Sequence, residues 1–338
     1  MAVLFTKGIK GRRPYLKFFD RMRKILLLFL LFASFGAFAQ DKYDIIVDRN
    51  GRGHFRTIQQ AIDSVRAFDL SGLKTIYIRS GVYKEKLVLY SYLTNVKLVG
   101  EDMENTIITY DDHANINKMG TFKTYSFLIQ GNDITVENLT IENSSLQLGQ
   151  AVALHVEGDR VIFRKCRFLG HQDTIYAGKQ GQRQYFEDCY IEGTTDFIFG
   201  PSTCWFERCE IFCKKNSYIM AANTPEDIEF GYILNNCTVK LADEVTDVYL
   251  GRPWRAYAMT LFMNTYLPKG ISPKGWDNWR NAENEKTARY MEYNNSGEGA
   301  NTSERVKWAK ILTKKEAEKY TVSNALKGCD NWNPTAIK

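Results

Sequence analysis

The sequence predicts an all-β chain wound as a right-handed parallel β-helix, a solenoid closed at its ends by short helices. Three observations predict it. Segments of alternating character recur at 134–141, 161–168, 184–191, 204–211, 232–239 and 260–267. Their sixth position falls at Leu139, Cys166, Cys189, Cys209, Cys237 and Thr265, in steps of 27, 23, 20, 28 and 28 residues. No helical pattern separates them. Alternation of period two is the mark of a strand. Repeats of this length built from short strands stack into coils whose turns absorb differences in length. Leucine-rich repeats have a similar period, but no segment shows their regular leucines.

The elements follow in order. Residues 1–39 carry eight basic residues and one acid, Asp20. An apolar run, Ile25 to Phe32, leads to Ala37-Phe38-Ala39 before Gln40. A basic stretch, a short apolar run and an A-x-A site make a secretory leader, and the run is too short to span a bilayer. Met22 is an alternative start. Arg12-Arg13 loosely resembles a twin-arginine signal. The expectation is an exported chain, secreted or periplasmic, whose mature part is one domain over residues 40–338 and has no membrane attachment.

The leader also accounts for the charge. The whole chain is +6, but beyond residue 39 there remain 37 basic and 38 acidic residues. A basic footprint for nucleic acid is therefore excluded. At 338 residues, 44% hydrophobic, the chain is long enough for a large core, which excludes intrinsic disorder and a disulfide-only miniprotein.

Phe55 to Phe68 supplies the N-terminal cap. Ile58, Ala61, Ile62 and Val65 lie on one helical face, with Thr57 as N-cap. Within the repeats, the cysteines read as a stack of small buried residues. A bridge between Cys189 and Cys209 on neighbouring coils is the alternative. Trp276 to Arg289 reads as loop, and Thr313-Lys-Lys-Glu316 as a capping box opening a short helix.

The chemistry lies just before three apolar strands. Gln150, Asp173 and Asp196 are separated by 23 and 23 residues, which predicts equivalent places on successive coils. Adjacent strands lie about 4.8 Å apart. Two carboxyls at that spacing do not both ionise readily, so one pKa is pushed up. The result is a carboxylate beside a carboxylic acid, the pairing of nucleophile and general acid. A neighbouring amide can donate to an oxyanion. Gln172 offers a second, although strand alternation would aim it elsewhere unless a turn intervenes. Singly, each Asp reads as a turn residue; the equal spacing is what argues for a site. Two acids would also serve a glycoside hydrolase. A calcium-dependent lyase would need an acid cluster, which is absent from the sequence. A non-catalytic glycan-binding solenoid would need neither the pair nor an arginine. No histidine cluster has metal-ligand spacing, so no metal or other cofactor is expected.

Seven segments carry a resemblance to the pectin methylesterases (pectinesterases). They are Gly81-Val-Tyr83-Lys-Glu85, Gln150-Ala-Val-Ala-Leu154, Gln172-Asp173-Thr-Ile-Tyr176, Asp196-Phe-Ile-Phe-Gly200, Leu250-Gly-Arg252-Pro-Trp254, Gly275-Trp276-Asp-Asn-Trp279 and Tyr290-Met-Glu-Tyr-Asn-Asn-Ser-Gly297. The match runs from about residue 43 to about 320. The resemblance implies a β-helical hydrolase that removes methyl esters from galacturonate units of pectin, releasing methanol and pectate. It implies Asp196 as nucleophile, Asp173 as general acid and then base, and Gln150 and Gln172 as oxyanion donors. Arg252 would orient the nucleophile and keep it ionised. Tyr176, Phe199, Trp254 and Trp276 would contact sugar, and Thr121 would contact substrate. His155 stands where many relatives have Arg, and Glu298 where many have Pro. The partner implied is methylated homogalacturonan, acted on by a monomer. With no inhibitor-like region before the catalytic part, the form resembled is the bacterial or short type.

Overall fold

The computed structural model describes residues 43–69 and 71–337. The expected leader lies outside the described residues. Strands dominate, and every strand pairing is parallel. They form one eleven-stranded sheet (sheet 1) and two seven-stranded sheets (sheets 2 and 3). One coil shows how the chain feeds them. Val161–Arg164 lies in sheet 1, Arg167–Leu169 in sheet 2 and Ile175–Ala177 in sheet 3, and Arg183–Glu187 returns to sheet 1 one coil further on. The winding is that of a right-handed parallel β-helix.

Alternation within each strand fills the interior in columns. On sheet 1, Val136, Phe163, Phe186, Phe206, Leu234 and Phe262 are successive register partners. Phe163, Phe186 and Phe206 stack with centroids 4.7 Å apart at each step. On sheet 2, Ile141, Phe168, Ile191, Ile211 and Val239 do the same, all fully buried.

Between sheets 1 and 2 the chain turns through a single residue of positive φ: Asn138, Lys165, Asp188, Arg208, Asn236 and Asn264. The residue after each is the shared repeat position. There the coils are tied by backbone bonds, Arg167 N–H to Leu139 O, Tyr190 N–H to Cys166 O, Glu210 N–H to Cys189 O and Thr238 N–H to Cys209 O. The cysteines stack here as free thiols, Cys189 and Cys209 included, so the alternative bridge is not formed. The reason is geometric. Stacked Cβ vectors in register run parallel, whereas a disulfide needs them to converge. Each thiol instead donates to the carbonyl two residues back, as in Cys166 to Arg164 O (3.3 Å) and Cys237 to Asn235 O (3.4 Å). The Thr265 hydroxyl makes the same bond, to Met263 O at 2.9 Å.

Four short helices accompany the coils. Helix α1 (Ile58–Asp63) packs on the first strands and closes the N-terminal end, and α2 (Asn284–Thr287) lies in a loop. Helices α3 (Lys314–Ala317) and α4 (Val322–Leu326) lie along the outer face of sheet 1, α4 against Thr203–Glu207, rather than across an end. Thr57 caps α1, which buries Ile58, Ala61 and Ile62. Glu85 accepts from the N–H groups of Ile58 and Gln59, both at 3.0 Å, so the last residue of the Gly81–Glu85 motif anchors this cap. The capping box of Thr313 and Glu316 opens α3. The stretch expected as loop is mostly that, interrupted by α2.

The outer face of sheet 1 is apolar too. Ile162, Tyr185, Trp205, Ile233, Leu261 and Met291 form one register column on it. The C-terminal segment covers it with Leu312, Ala317, Tyr320, Ala325, Leu326 and Trp332. Arg183 pins that segment, bonding both carboxylate oxygens of Asp330 at 2.6 and 2.8 Å and Leu326 O at 3.0 Å.

Candidate active site

The face of sheet 3 carries a cleft of ≈ 260 Å³ lined by Thr121, Phe122, Gln150, Gln172, Asp173, Asp196, Phe199, Ala221, Arg252, Trp254 and Trp279. Its centre is the acid pair. Ile175 pairs with Ile198, so Asp173 and Asp196, each two residues earlier, hold the same place on neighbouring coils. The Asp173 N–H donates to Thr195 O, and the Asp196 N–H to Tyr218 O. Both aspartates have left-handed backbones, with φ of 68° and 48°. Asp tolerates this conformation better than most residues. The turn at Asp173 also breaks strand alternation, which is why Gln172 and Asp173, adjacent in sequence, both face the cleft.

Gln150 reaches the cleft from a different place than its spacing suggests. Leu154 pairs with Ile175, so the register partner of Asp173 on the preceding coil is Val152. Gln150 sits two residues before it, on the loop leading into the strand. Equal spacing in sequence and equal position in the coil diverge here because this coil is two residues shorter between the two points.

Arg252 determines how the acids differ. Its Nε and Nη2 donate to the two oxygens of Asp196 at 2.9 and 2.6 Å, a bidentate fork. The guanidinium lies between two rings, 3.9 Å from the centroid of Tyr218 and 3.8 Å from that of Trp279. Asp196 is 5% exposed and Asp173 8%. Burial pushes the Asp196 carboxyl up, and Arg252 pulls it back, leaving it above the ordinary carboxylate value. Asp173 has no such partner. Burial, then the charge of Asp196, push it well above, with only a long-range opposing pull from Arg252. In this arrangement Asp196 is the readier to ionise and Asp173 the readier to hold a proton.

Aromatic rings continue the face. Phe199 is 5.8 Å from Trp254 and 4.9 Å from Tyr176. Tyr176 is beside the cleft rather than in its lining. It packs on Phe122 (4.9 Å) and on His155 (4.7 Å), whose ring is buried beneath the shelf, where desolvation lowers its pKa. Thr121 and Phe122 come from a loop stapled at its base. The Asn143 side chain donates to Asp112 O, Thr124 O and Val152 O at 2.9–3.1 Å.

One expected residue is elsewhere. Trp276 is only 1% exposed and lies in the core, tilted against Tyr290 at 4.4 Å with its Nε1 donating to Glu292. It does not line the cleft. The indole at the cleft is Trp279, three residues on. A positive φ of 58° and a bond from its N–H to the Asp277 carboxylate (2.7 Å) turn it outward. The second tryptophan of the Gly275–Trp279 motif was the available signal. Phe122 and Tyr218 carried none, since a lone aromatic in a β-rich chain is usually core. Among the described residues no group of His, Cys, Asp or Glu could hold a metal ion.

A paired-acid cleft on the outside of a parallel β-helix defines a class of solenoid with an exposed, charge-differentiated site. The pectinesterase family model matches residues 44–329, and the chain belongs to that family. It is 36% identical to a probable pectinesterase/pectinesterase inhibitor 6 of Arabidopsis thaliana over 85% of this chain and 53% of the relative. To pectinesterase 31 of the same plant it is 37% identical, over 80% of this chain and 88% of the relative. The chain thus spans about half the length of several of the curated relatives it matches. Among solved structures, it resembles a pectin methylesterase from carrot (TM-score 0.83, 28% identity, 89% of this chain and 98% of that one). It also resembles a pectin methylesterase in complex with a hexasaccharide (TM-score 0.73, 29% identity, 86% and 98%).

Proposed function

We propose that this chain hydrolyses methyl esters of galacturonate units in pectin, releasing methanol and leaving free carboxylates. The observation that carries the reading is the Arg252 fork on Asp196 next to an Asp173 pushed toward its protonated form. Family membership supports it, as does the structural likeness to pectin methylesterases.

In the mechanism this implies, the Asp196 carboxylate attacks the C6 carbonyl of a methylated unit. Charge develops on the carbonyl oxygen, where the side-chain amides of Gln150 and Gln172 donate to it. As the tetrahedral intermediate collapses, Asp173 gives its proton to the departing methoxyl, which leaves as methanol. An anhydride now joins substrate and Asp196. Asp173, ionised, takes a proton from water, and the hydroxide attacks the anhydride. Asp196 departs as a carboxylate and Asp173 is protonated again. Phe199, Trp254, Trp279 and the edge of Tyr176 would hold the sugar rings, and Thr121 a substituent at the rim. The substrate partner is methylated homogalacturonan. We further propose residues 1–39 as an export leader, residues 40–338 as a single catalytic domain working as a monomer, and a periplasmic or extracellular site of action.

The test is an assay for methanol and new carboxylates on highly methylated pectin, run beside Asp196→Asn. Wild type should release methanol without shortening the polymer. The variant should be inactive with an unchanged melting temperature. Chain scission without methanol would replace the esterase reading with that of a glycosidase or lyase.

A further inference from the structure

The register column that holds the two acids continues beyond them. Met220 pairs with Ile198 on one side and Gly251 on the other, and Tyr218 pairs with Tyr249. Position by position the column reads Val152, Asp173, Asp196, Tyr218, Tyr249. Arg252 enters from the coil of Tyr249 and must cross the coil of Tyr218 to reach Asp196. It crosses on the Tyr218 ring, at 3.9 Å, with Trp279 closing the opposite face at 3.8 Å.

We propose that Tyr218 is a positioning residue for the esterase reaction, the platform that fixes the plane of the Arg252 guanidinium so that its fork meets both oxygens of Asp196. This inference rests on the reading of the site given above.

Three observations support it. The ring stands where stacking is favourable, well inside the distance at which a guanidinium is attracted to an aromatic face. Tyr218 is absent from the residues lining the cleft, so its ring bears on the Asp196 carboxylate chiefly by way of the Arg252 guanidinium it carries. It is itself held at both ends. Its carbonyl accepts the Asp196 N–H at 2.8 Å, and its ring packs on Tyr249 at 5.4 Å. Without the platform the guanidinium could rotate out of plane and exchange one carboxylate bond for water. Asp196 would then lose part of what offsets its burial.

The groups bearing on Asp196 are Asp173 from the preceding coil, Arg252, Asp277 from the loop above, the Tyr218 hydroxyl beside it and Tyr290 from the interior. Of these, only Arg252 is cationic. A loosened fork therefore moves the acid limb of the pH profile upward, toward higher pH.

The experiment compares Tyr218→Leu and Tyr218→Phe with wild type on methylated pectin, reading kcat, KM, the acid limb of kcat/KM and the melting temperature. Tyr218→Leu should lower kcat about tenfold, leave KM unchanged and raise the acid limb. Tyr218→Phe, which keeps the ring face, should restore both kcat and the limb. Wild-type kinetics for the Leu variant would overturn the inference, as would a change confined to KM, or a loss of kcat that tracks a fall in melting temperature with the limb unmoved. In each of those cases wild type still releases methanol, so the esterase reading stands. Absence of methanol from wild type itself would be the failure of that reading.

Discussion

Asp173 is buried with no cation bonded to it among the described residues, and that has two consequences. On the proposed mechanism the active protonation state is Asp196 charged and Asp173 neutral, so kcat/KM should rise with pH as the pair loses its first proton and fall as it loses its second. Both limbs belong to the pair rather than to either acid. The second consequence is for stability. Folding raises the Asp173 pKa, so the folded state binds the proton more tightly than the unfolded one. That contribution is fully present below the unfolded value near pH 3.9. It is lost as pH climbs from there to the raised folded value. Asp173→Asn removes the charge at nearly constant shape. It should abolish turnover, yet raise the neutral-pH melting temperature by about 2 °C, on the order of 1 kcal/mol. A melting series from pH 4 to pH 7 would check the sign, with wild type losing more than the variant. Arg252→Lys keeps a charge but loses the fork and the flat faces that Tyr218 and Trp279 grip. Its kcat should fall about 10–100-fold, the worth of one charge-assisted hydrogen bond. The pairing of Asp173 with Asp196 was legible because two acids in register need only a constant repeat length, whereas Arg252 came only from the resemblance of the Leu250–Trp254 segment. Gln150 and Trp276 were less so. Each depends on a local loop, two residues absent from one coil and a left-handed turn at the other, which spacing alone does not encode.

At the scale of one coil, the turn between sheets 1 and 2 asks the same thing each time, one residue in the left-handed region. Asn138, Asp188, Asn236 and Asn264 suit it, because short polar side chains tolerate positive φ. Lys165 (φ 49°) and Arg208 (φ 52°) do not. Arg208 has compensation in ion pairs with Glu187 and Asp188 at 2.7 and 2.9 Å, whereas the exposed Lys165 sits over no such pair among the described contacts. Lys165→Asn should therefore stabilise the protein by about 0.5 kcal/mol, read by chemical denaturation. In the interior the opposite holds. Phe186 stacks on both neighbours, and Phe186→Ala should cost about 3–5 kcal/mol. The stack of buried cysteines followed directly from the repeat. Whether two of them were joined did not, because spacing places residues on adjacent coils without saying that their Cβ vectors run parallel.

The described residues form an array in which each coil touches mainly the next, a nearly one-dimensional arrangement. The C-terminal segment departs from that rule. It runs along the outer column of sheet 1 from Met291 back to Ile162 and ends in bonds from Arg160, Arg164 and Arg183 to Asp330 and Pro334. The apolar column beneath it was readable in the alternating segments only as strand; that both faces of sheet 1 are buried required knowing what covers the outside. Arg183→Ala should loosen this cover, increase binding of a hydrophobic dye and lower the melting temperature, with little change in KM. The same strap has a mechanical meaning. A stack with free ends frays inward from them, and the coils nearest the C-terminal end are the ones that supply Arg252 and Trp279. By lashing those coils to the middle of the stack, the strap should make their unwinding more cooperative. Cut it, and the proposed esterase activity should be lost several degrees before the strands come apart.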